Sequence, residues 1–265
     1  ARRTGALREA WRTRRAGEAP ASPGPAGRVE GALSDAGAAK TAKGEQTRAL
    51  ILDTALELFR ERGYEDTTMR AIAERAGVAV GNAYYYFRSK EQLVQNFYAR
   101  THAEHVAASA EVLRAGGPFR ERLVGVMRAK LDTIEPYHAF AGVLFRTAAD
   151  PASPLNPFSD ESRPLRAEAT ELFAEVVRGA EDRRLPADLA AELPDLLWTY
   201  HMGVVLFWIH ERSPGRRRTR RLVERTVELV DRLVGLAGMA VMRPLRRAVL
   251  RLLAELREDG DAAGG

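Results

Sequence analysis

The sequence predicts an all-α protein, on three observations. Apolar residues recur at i, i+3, i+4 and i+7 spacing in one segment after another between residues 51 and 236. No run alternates apolar and polar residues for long enough to make a strand. The periodic segments are separated by glycines, prolines and hydroxyl-bearing residues, the types that stop and start helices.

Ile51, Ala55, Leu58 and Phe59 form the apolar stripe of a first helix. Gly63 ends it by permitting a left-handed cap. Thr67 or Thr68 then offers an N-cap hydroxyl to a short second helix with Met69, Ile72, Ala73 and Ala76 on one face. Gly77 breaks that helix, and residues 81–87 make a third short one. Ser89 and Gln92 form the S-x-x-Q capping box of a long fourth helix. It carries Leu93, Phe97 and His105 towards Gly116-Gly117-Pro118, which stops it. Residues 119–134 are periodic, Pro136 marks a restart, and 140–149 continue the pattern. The loop DPASPLNPFSDES (150–162) precedes helical segments at 165–177, 189–210 and 219–236, with a turn at 213–215. PLRRAVLRLLAEL (244–256) adds a basic amphipathic helix that packs on a dimer or stays partly disordered.

Residues 1–45 lack this periodicity. Ala, Gly, Pro and Arg dominate them, and six arginines face one glutamate in the first fifteen residues. We expect a solvated, disordered basic tail; the sharper reading is an arm that adds phosphate or minor-groove contacts to DNA. The arginines there are not followed by an apolar core, so a secretory signal is not expected. No apolar run reaches the length of a membrane span, and a cytoplasmic protein is expected. Cysteine is absent, which excludes disulfides, a thiol nucleophile and cysteine metal sites. The net charge of +5 is a mild invitation to a polyanion. Of the 41 basic residues, 37 are arginine, which supplies planar bidentate donors.

Tyr84, Tyr85, Tyr86 and Phe87 span barely one helical turn and point all round it. A helix buried on one side cannot hide four consecutive rings, so some must face water or a partner. The surrounding pattern accounts for this. Two short helices joined by a glycine-containing turn have helix-turn-helix geometry. The run TTMRAIAERAGVAVGNAYYYFRSKEQL resembles the N-terminal domain of the tetracycline-repressor (TetR/AcrR) family of transcriptional regulators. The matching residues are Thr67-Thr68, Ile72-Ala73, Ala76-Gly77-Val78, Gly81, Tyr84-Tyr85, Phe87 and Lys90-Glu91-Gln92-Leu93, with Ala55, Phe59 and Gly63-Tyr64 upstream. About 50 residues carry the match. Departures are Ala79, where Ser or Thr often caps the recognition helix, Ala83, where a bulky aliphatic is common, and Tyr86, where His is frequent.

The resemblance implies a module that binds double-stranded DNA. Ile72, Ala73, Val78 and Phe87 are then core. Thr68, Tyr85, Tyr86 and Lys90 contact phosphates, and hydroxyl or ammonium groups that do so set register without reading sequence. Base reading falls to the start of the recognition helix, at Val80, Gly81 and Asn82; Asn82 can pair with adenine in bidentate fashion. Tyr84 and Phe87 are expected to pack inward, and Tyr85 and Tyr86 to remain outside.

The family also implies a helical C-terminal domain whose last two long helices pair with their two-fold mates. One recognition helix reads few base pairs, so a homodimer on a palindromic operator is expected. Trp198, His201, Val205 and Trp208 share one helical face, for which core or subunit interface is the bland reading and a ligand cavity the functional one. Phe140, Phe145, Phe173, Trp198 and His201 are the candidate ligand-binding residues. His102 and His105 share a face with Glu104 nearby, but no third ligand is fixed; a solvated or lightly packed helix is expected, with no metal and no cofactor.

The expected organisation is therefore a tail over 1–45, the DNA-binding domain over 46–93, a helical ligand-binding and dimerisation domain over 94–238, and an extra helix with a flexible end over 239–265. The expected function is a ligand-responsive repressor released by a small apolar molecule. An enzyme is not expected, for want of a nucleophile–base pair, phosphate loop or metal constellation. The rival reading is a DNA-binding regulator or architectural protein without a small-molecule ligand.

Overall fold

The computed structural model describes residues 27–263, and among them every regular element is helical. The chain divides into two units, residues 1–49 and 50–265. Helix α1 is Gly27–Arg62. It begins well before Gln46, where the apolar periodicity starts. Residues 28–45 contain no proline, and five alanines with two lysines and two glutamates favour helix there against the cost of three glycines, without an apolar stripe. The proposed basic arm, up to Arg15, lies outside the described residues.

The second unit starts with α1's buried stripe of Ile51, Ala55, Leu58 and Phe59. Gly63, at φ +90°, turns the chain out of α1. Helix α2 is Met69–Arg75 and α3 is Val80–Tyr86. The long α4, Lys90–Arg114, ends at Gly116 and Gly117, both with positive φ. Helix α5 is Phe119–Ile134, followed by a 3-10 turn at Glu135–Tyr137 and by α6, His138–Ala148. After the proline-rich loop come α7, Arg163–Arg178, α8, Ala187–His210, α9, Arg217–Gly238, and α10, Arg243–Ala263.

Buried side chains form two clusters. The first joins α1, α2, α3 and the start of α4 to Phe140, Leu144 and Ala148 of α6 and to Leu155 of the loop. Phe140 stacks on Phe59, with centroids 5.8 Å apart and planes 4° apart, and meets Phe97 edge-on. The second cluster fills the space between α5, α7, α8 and α9, around Phe119, Met127, Phe173 and Trp208. Packing of the helix-turn-helix module thus continues past residue 93, because α6 supplies one wall of its core.

Buried polar groups fix the helix ends. The Arg122 guanidinium donates to the carbonyls of Leu113 (2.8 Å), Glu175 (2.8 Å) and Val176 (3.3 Å), tying α5 to the last turns of α4 and α7. Glu211 accepts from the Ser213 N–H (2.9 Å), the Thr219 N–H (2.9 Å) and the Thr219 hydroxyl (3.0 Å), so it caps α9. Burial raises this carboxyl's pKa, but the hydrogen bonds outweigh burial and hold it at about 2. Arg246 anchors α10 by donating to Asp188 (3.0 Å) and to the Ala237 carbonyl (2.7 Å).

Candidate nucleic-acid interface and ligand cavity

The DNA-reading module is shaped by its turns. The Thr67 hydroxyl is buried and donates to the Gly63 carbonyl at 2.7 Å, closing the turn after α1. Exposed Thr68 caps α2, its side-chain oxygen accepting from the Ala71 N–H at 3.1 Å. Gly77, at φ +67°, makes the turn between α2 and α3. Ala79 starts α3 with no side-chain cap, which leaves the first N–H groups of α3 without a protein side-chain acceptor at that position.

Val80, Gly81 and Asn82, the candidate base readers, are all exposed on the first turn of α3. A Cβ at Gly81 would meet nothing within 4 Å, so the helix has open space on that side. Ala83 and Phe87, four apart, are the inward residues of this segment, and both are fully buried. This corrects the placement of the rings. Tyr84 lies about 100° round the helix from Ala83 and is 49% exposed, not inward. Tyr85 is 79% exposed. Tyr86 is half-buried against the module's core and meets Tyr85 edge-on at 5.2 Å. The small Ala83 lets α3 sit close to the core.

Lys90 is drawn into the module. Its ammonium donates to the carbonyls of Tyr64 (2.8 Å) and Glu65 (3.3 Å) and lies 4.4 Å from the centre of the Tyr64 ring. It clamps the first turn of α4 to the turn after α1. The Tyr64 hydroxyl completes the joint by donating to Glu91 at 2.7 Å. Farther along α4, Arg100 pairs with Asp53 of α1 at 2.6 Å.

A cavity of about 220 Å³ opens between α4, α5, α6, α7 and α8. Of the five candidate ligand residues, Phe145, Phe173, Trp198 and His201 line it. Phe140 does not: its ring is committed to the stack with Phe59 and Phe97. The loop after α6 forms part of the wall, with Leu155 fully buried and Pro157 and Ser162 at the lining. Gln95 of α4 holds that loop through the Pro154 carbonyl at 2.7 Å. Phe158 meets Trp198 edge-on at 5.3 Å.

His102 and His105 are buried at this cavity rather than solvated. The expectation failed because a polar residue type says little about which face of a long helix meets the core. Burial depresses both imidazoles, that of His105 to about 3. Lys130, absent from the sequence-based candidates, also lines the cavity, and burial pushes its amine down to about 8. Its one available signal was rarity: it is one of four lysines against 37 arginines, on a helix with an apolar stripe. Among the described residues no group of acidic, histidine or cysteine side chains is placed to hold a metal ion, and no helix is long and apolar enough to cross a membrane.

Two family models match. The one for bacterial regulatory proteins of the tetR family covers residues 51–97, and the one for the tetracyclin repressor-like C-terminal domain covers residues 122–252. The chain belongs to the TetR family. Its α2–α3 module therefore has the family's DNA-binding fold, and the protein is a transcriptional regulator rather than an enzyme. Among relatives, a transcriptional repressor named KstR2 from Mycolicibacterium smegmatis is 28% identical over 144 residues, 54% of this chain and 69% of that protein. The repressor KstR of Rhodococcus jostii is 50% identical over 56 residues, 21% of this chain and 26% of that protein. The fatty acid metabolism regulator protein of Bacillus subtilis is 28% identical over 91 residues, 34% of this chain and 47% of that protein. In the last two the match spans less than half of the relative's length. Two solved structures share the fold. A TetR-family structure from Syntrophomonas wolfei has a TM-score of 0.59 at 17% identity, covering 71% of this chain and 95% of that one. The TetR regulator of Nitrosomonas europaea has 0.54 at 21%, covering 69% and 96%.

Proposed function

We propose that this TetR-family regulator is a repressor that binds a palindromic operator as a homodimer and is released by a small, largely apolar ligand. One observation carries the reading: a single helix joins the two sites. Helix α4 has 25 residues, about 37 Å. At its start Lys90 and Glu91 are locked to the turn before α2, and further along Thr101, His102 and His105 line the cavity. A ligand that moves the cavity end of α4 tilts the module at the other end. Operator affinity falls only if the ligand binds the tilted state better than the DNA-bound one.

In this reading Val80, Gly81 and Asn82 face base edges, while Thr68, Tyr85 and Tyr86 meet phosphates. Lys90 positions the module through two of its three donors and keeps one for an anion. Homodimerisation is supported by a second apolar stripe on α9. Val223, Val227 and Val234 are buried, yet Leu229, Leu233 and Leu236 are exposed at i, i+4 and i+7, and Leu206 and Phe207 of α8 are also exposed. An amphipathic helix that is apolar on two faces lacks a partner for one of them. The repressor names of the relatives agree with the direction of regulation.

Selection of bound duplexes from a random pool tests the reading. A two-fold symmetric motif is expected, with half-sites about one helical turn apart. Enrichment of asymmetric or unrelated sequences, or a monomer mass in sedimentation at operator-binding concentrations, defeats it.

A further inference from the structure

Basic groups from three helices gather in the cavity, beside the hydroxyls of Tyr98, Thr101, Tyr137 and Ser162. His102 and His105 come from α4, Lys130 from α5 and His201 from α8, and together they line one cavity. The His105 and His201 rings lie 6.1 Å apart and 15° from parallel. His105 Nε2 lies 2.9 Å from the Val126 carbonyl, so that nitrogen carries the proton. His201 is 6% exposed, and neither of its ring nitrogens has a hydrogen-bond partner. A buried donor left unpaired costs free energy, and native interiors rarely keep one.

Among the described residues no Asp or Glu lines the cavity. The nearest acids stand outside: Glu104 is exposed, and Glu168, also exposed, reaches only to 3.8 Å from His102. Arg166, the remaining cation at the wall, is turned to the Pro157 carbonyl at 2.6 Å. Lys130 therefore brings a charge to an apolar enclosure whose described lining holds no counter-charge, and Glu104 acts on it only from outside. Burying an ammonium is costly unless an anion joins it. Most of the rest of the lining is aliphatic and aromatic, including Phe173, Trp198, Trp208 and Met202.

We propose that the cavity takes an apolar molecule carrying one carboxylate, with the acid at the Lys130–His201 cluster and the body against Trp198, Trp208 and Phe173. The carboxylate accepts from the Lys130 ammonium and from the unpartnered His201. Charge-assisted hydrogen bonds of this kind exceed neutral ones. The proposal rests on the cavity being the ligand site of the preceding reading, and names the chemistry that site selects.

Trp198 and Trp208 make the test direct, because intrinsic fluorescence reports entry into the cavity. The full chain is titrated with decanoic acid, decan-1-ol and decylamine below their aggregation limits. The acid is expected to bind roughly tenfold or more tighter than the alcohol, and the amine more weakly than either. Lys130→Met is expected to erase the preference for acid over alcohol while the alcohol still binds; Lys130→Arg is expected to restore it. Equal binding of acid and alcohol, or preference for the amine, overturns the acid-head assignment and leaves the cavity reading standing. Failure of all three probes to bind overturns both. The wild-type series decides the matter even if a Lys130 variant fails to fold.

Discussion

The DNA-reading module and the ligand cavity are built on opposite plans. In the module, residues 63–91 supply the turns, the caps and the outward-facing side chains, and apart from the clamp of Lys90 and Glu91 on Tyr64 and Glu65 these features are local in sequence. In the cavity, His102, Lys130 and His201 meet from three different helices, 28 and 71 residues apart along the chain. The module must present an outer face to a long, regular partner, and a single helical turn suffices. The cavity must enclose its ligand, and only several helices packed together make walls. The two meet at α6: Phe140 belongs to the module's core alone, while Leu144 and Ala148 belong to that core and also line the cavity.

That shared core is where the comparison breaks most visibly. Phe59 is fully buried between Tyr64 and Phe140. Phe59→Ala is expected to cost about 3–5 kcal/mol of stability, read as a lower urea midpoint for the whole second unit. A loss confined to the module's own spectral signals, with the cavity tryptophans still reporting a native fold, means the regions unfold separately.

Acid separates the regions next. Burial holds His105 at about 3 and His201 well below its ordinary value of 6.5. Each imidazole stays neutral in the folded state and protonates first in the unfolded one. Their stabilising contribution is full above pH 6.5 and is lost as pH falls towards about 3. We expect stability to fall between pH 7 and pH 5 by up to about 1.4 kcal/mol per pH unit for each buried imidazole. A urea midpoint that does not move over that range contradicts their burial.

Smaller effects sharpen the assignment of roles within the module. Asn82→Ala is expected to relax preference at one base step by about 1–3 kcal/mol without changing stability, since the side chain is exposed. If the selected motif keeps all its positions, Asn82 does not read a base. Lys90→Met is expected to lower both stability and operator affinity by about 1–2 kcal/mol, because the clamp on Tyr64 and Glu65 is lost. An affinity loss with unchanged thermal stability would show Lys90 acting on DNA alone. Tyr85→Ala is expected to weaken binding by about 1 kcal/mol on every duplex alike, with melting temperature unaltered; a change in the motif would make Tyr85 a base reader.

Much of the module was legible in the sequence. Gly63 and Gly77 fall where φ is positive, Thr68 and Ser89 cap α2 and α4, and Val80 to Asn82 stand exposed. These features depend on spacings of a few residues. The ring assignment was less secure: Tyr84 was expected inward, but the inward line through Ala83 and Phe87 leaves it outside. The resemblance implies a phosphate contact for Lys90, and its carbonyl partners lie 25 and 26 residues away, beyond any local pattern.

The amino-acid order by itself determined the helices from α2 onward, most of their ends, and the exposure of the first turn of α3. Propensity, capping and period act over one or two turns, and the chain carries those signals locally. Tertiary structure alone decided which polar residues were buried and with whom. It put His102, His105, His201 and Lys130 into one enclosure without an acid, and it turned Phe140 away from that enclosure to Phe59. Burial and electrostatic company are properties of the packed assembly of helices, and no single stretch of the chain specifies them.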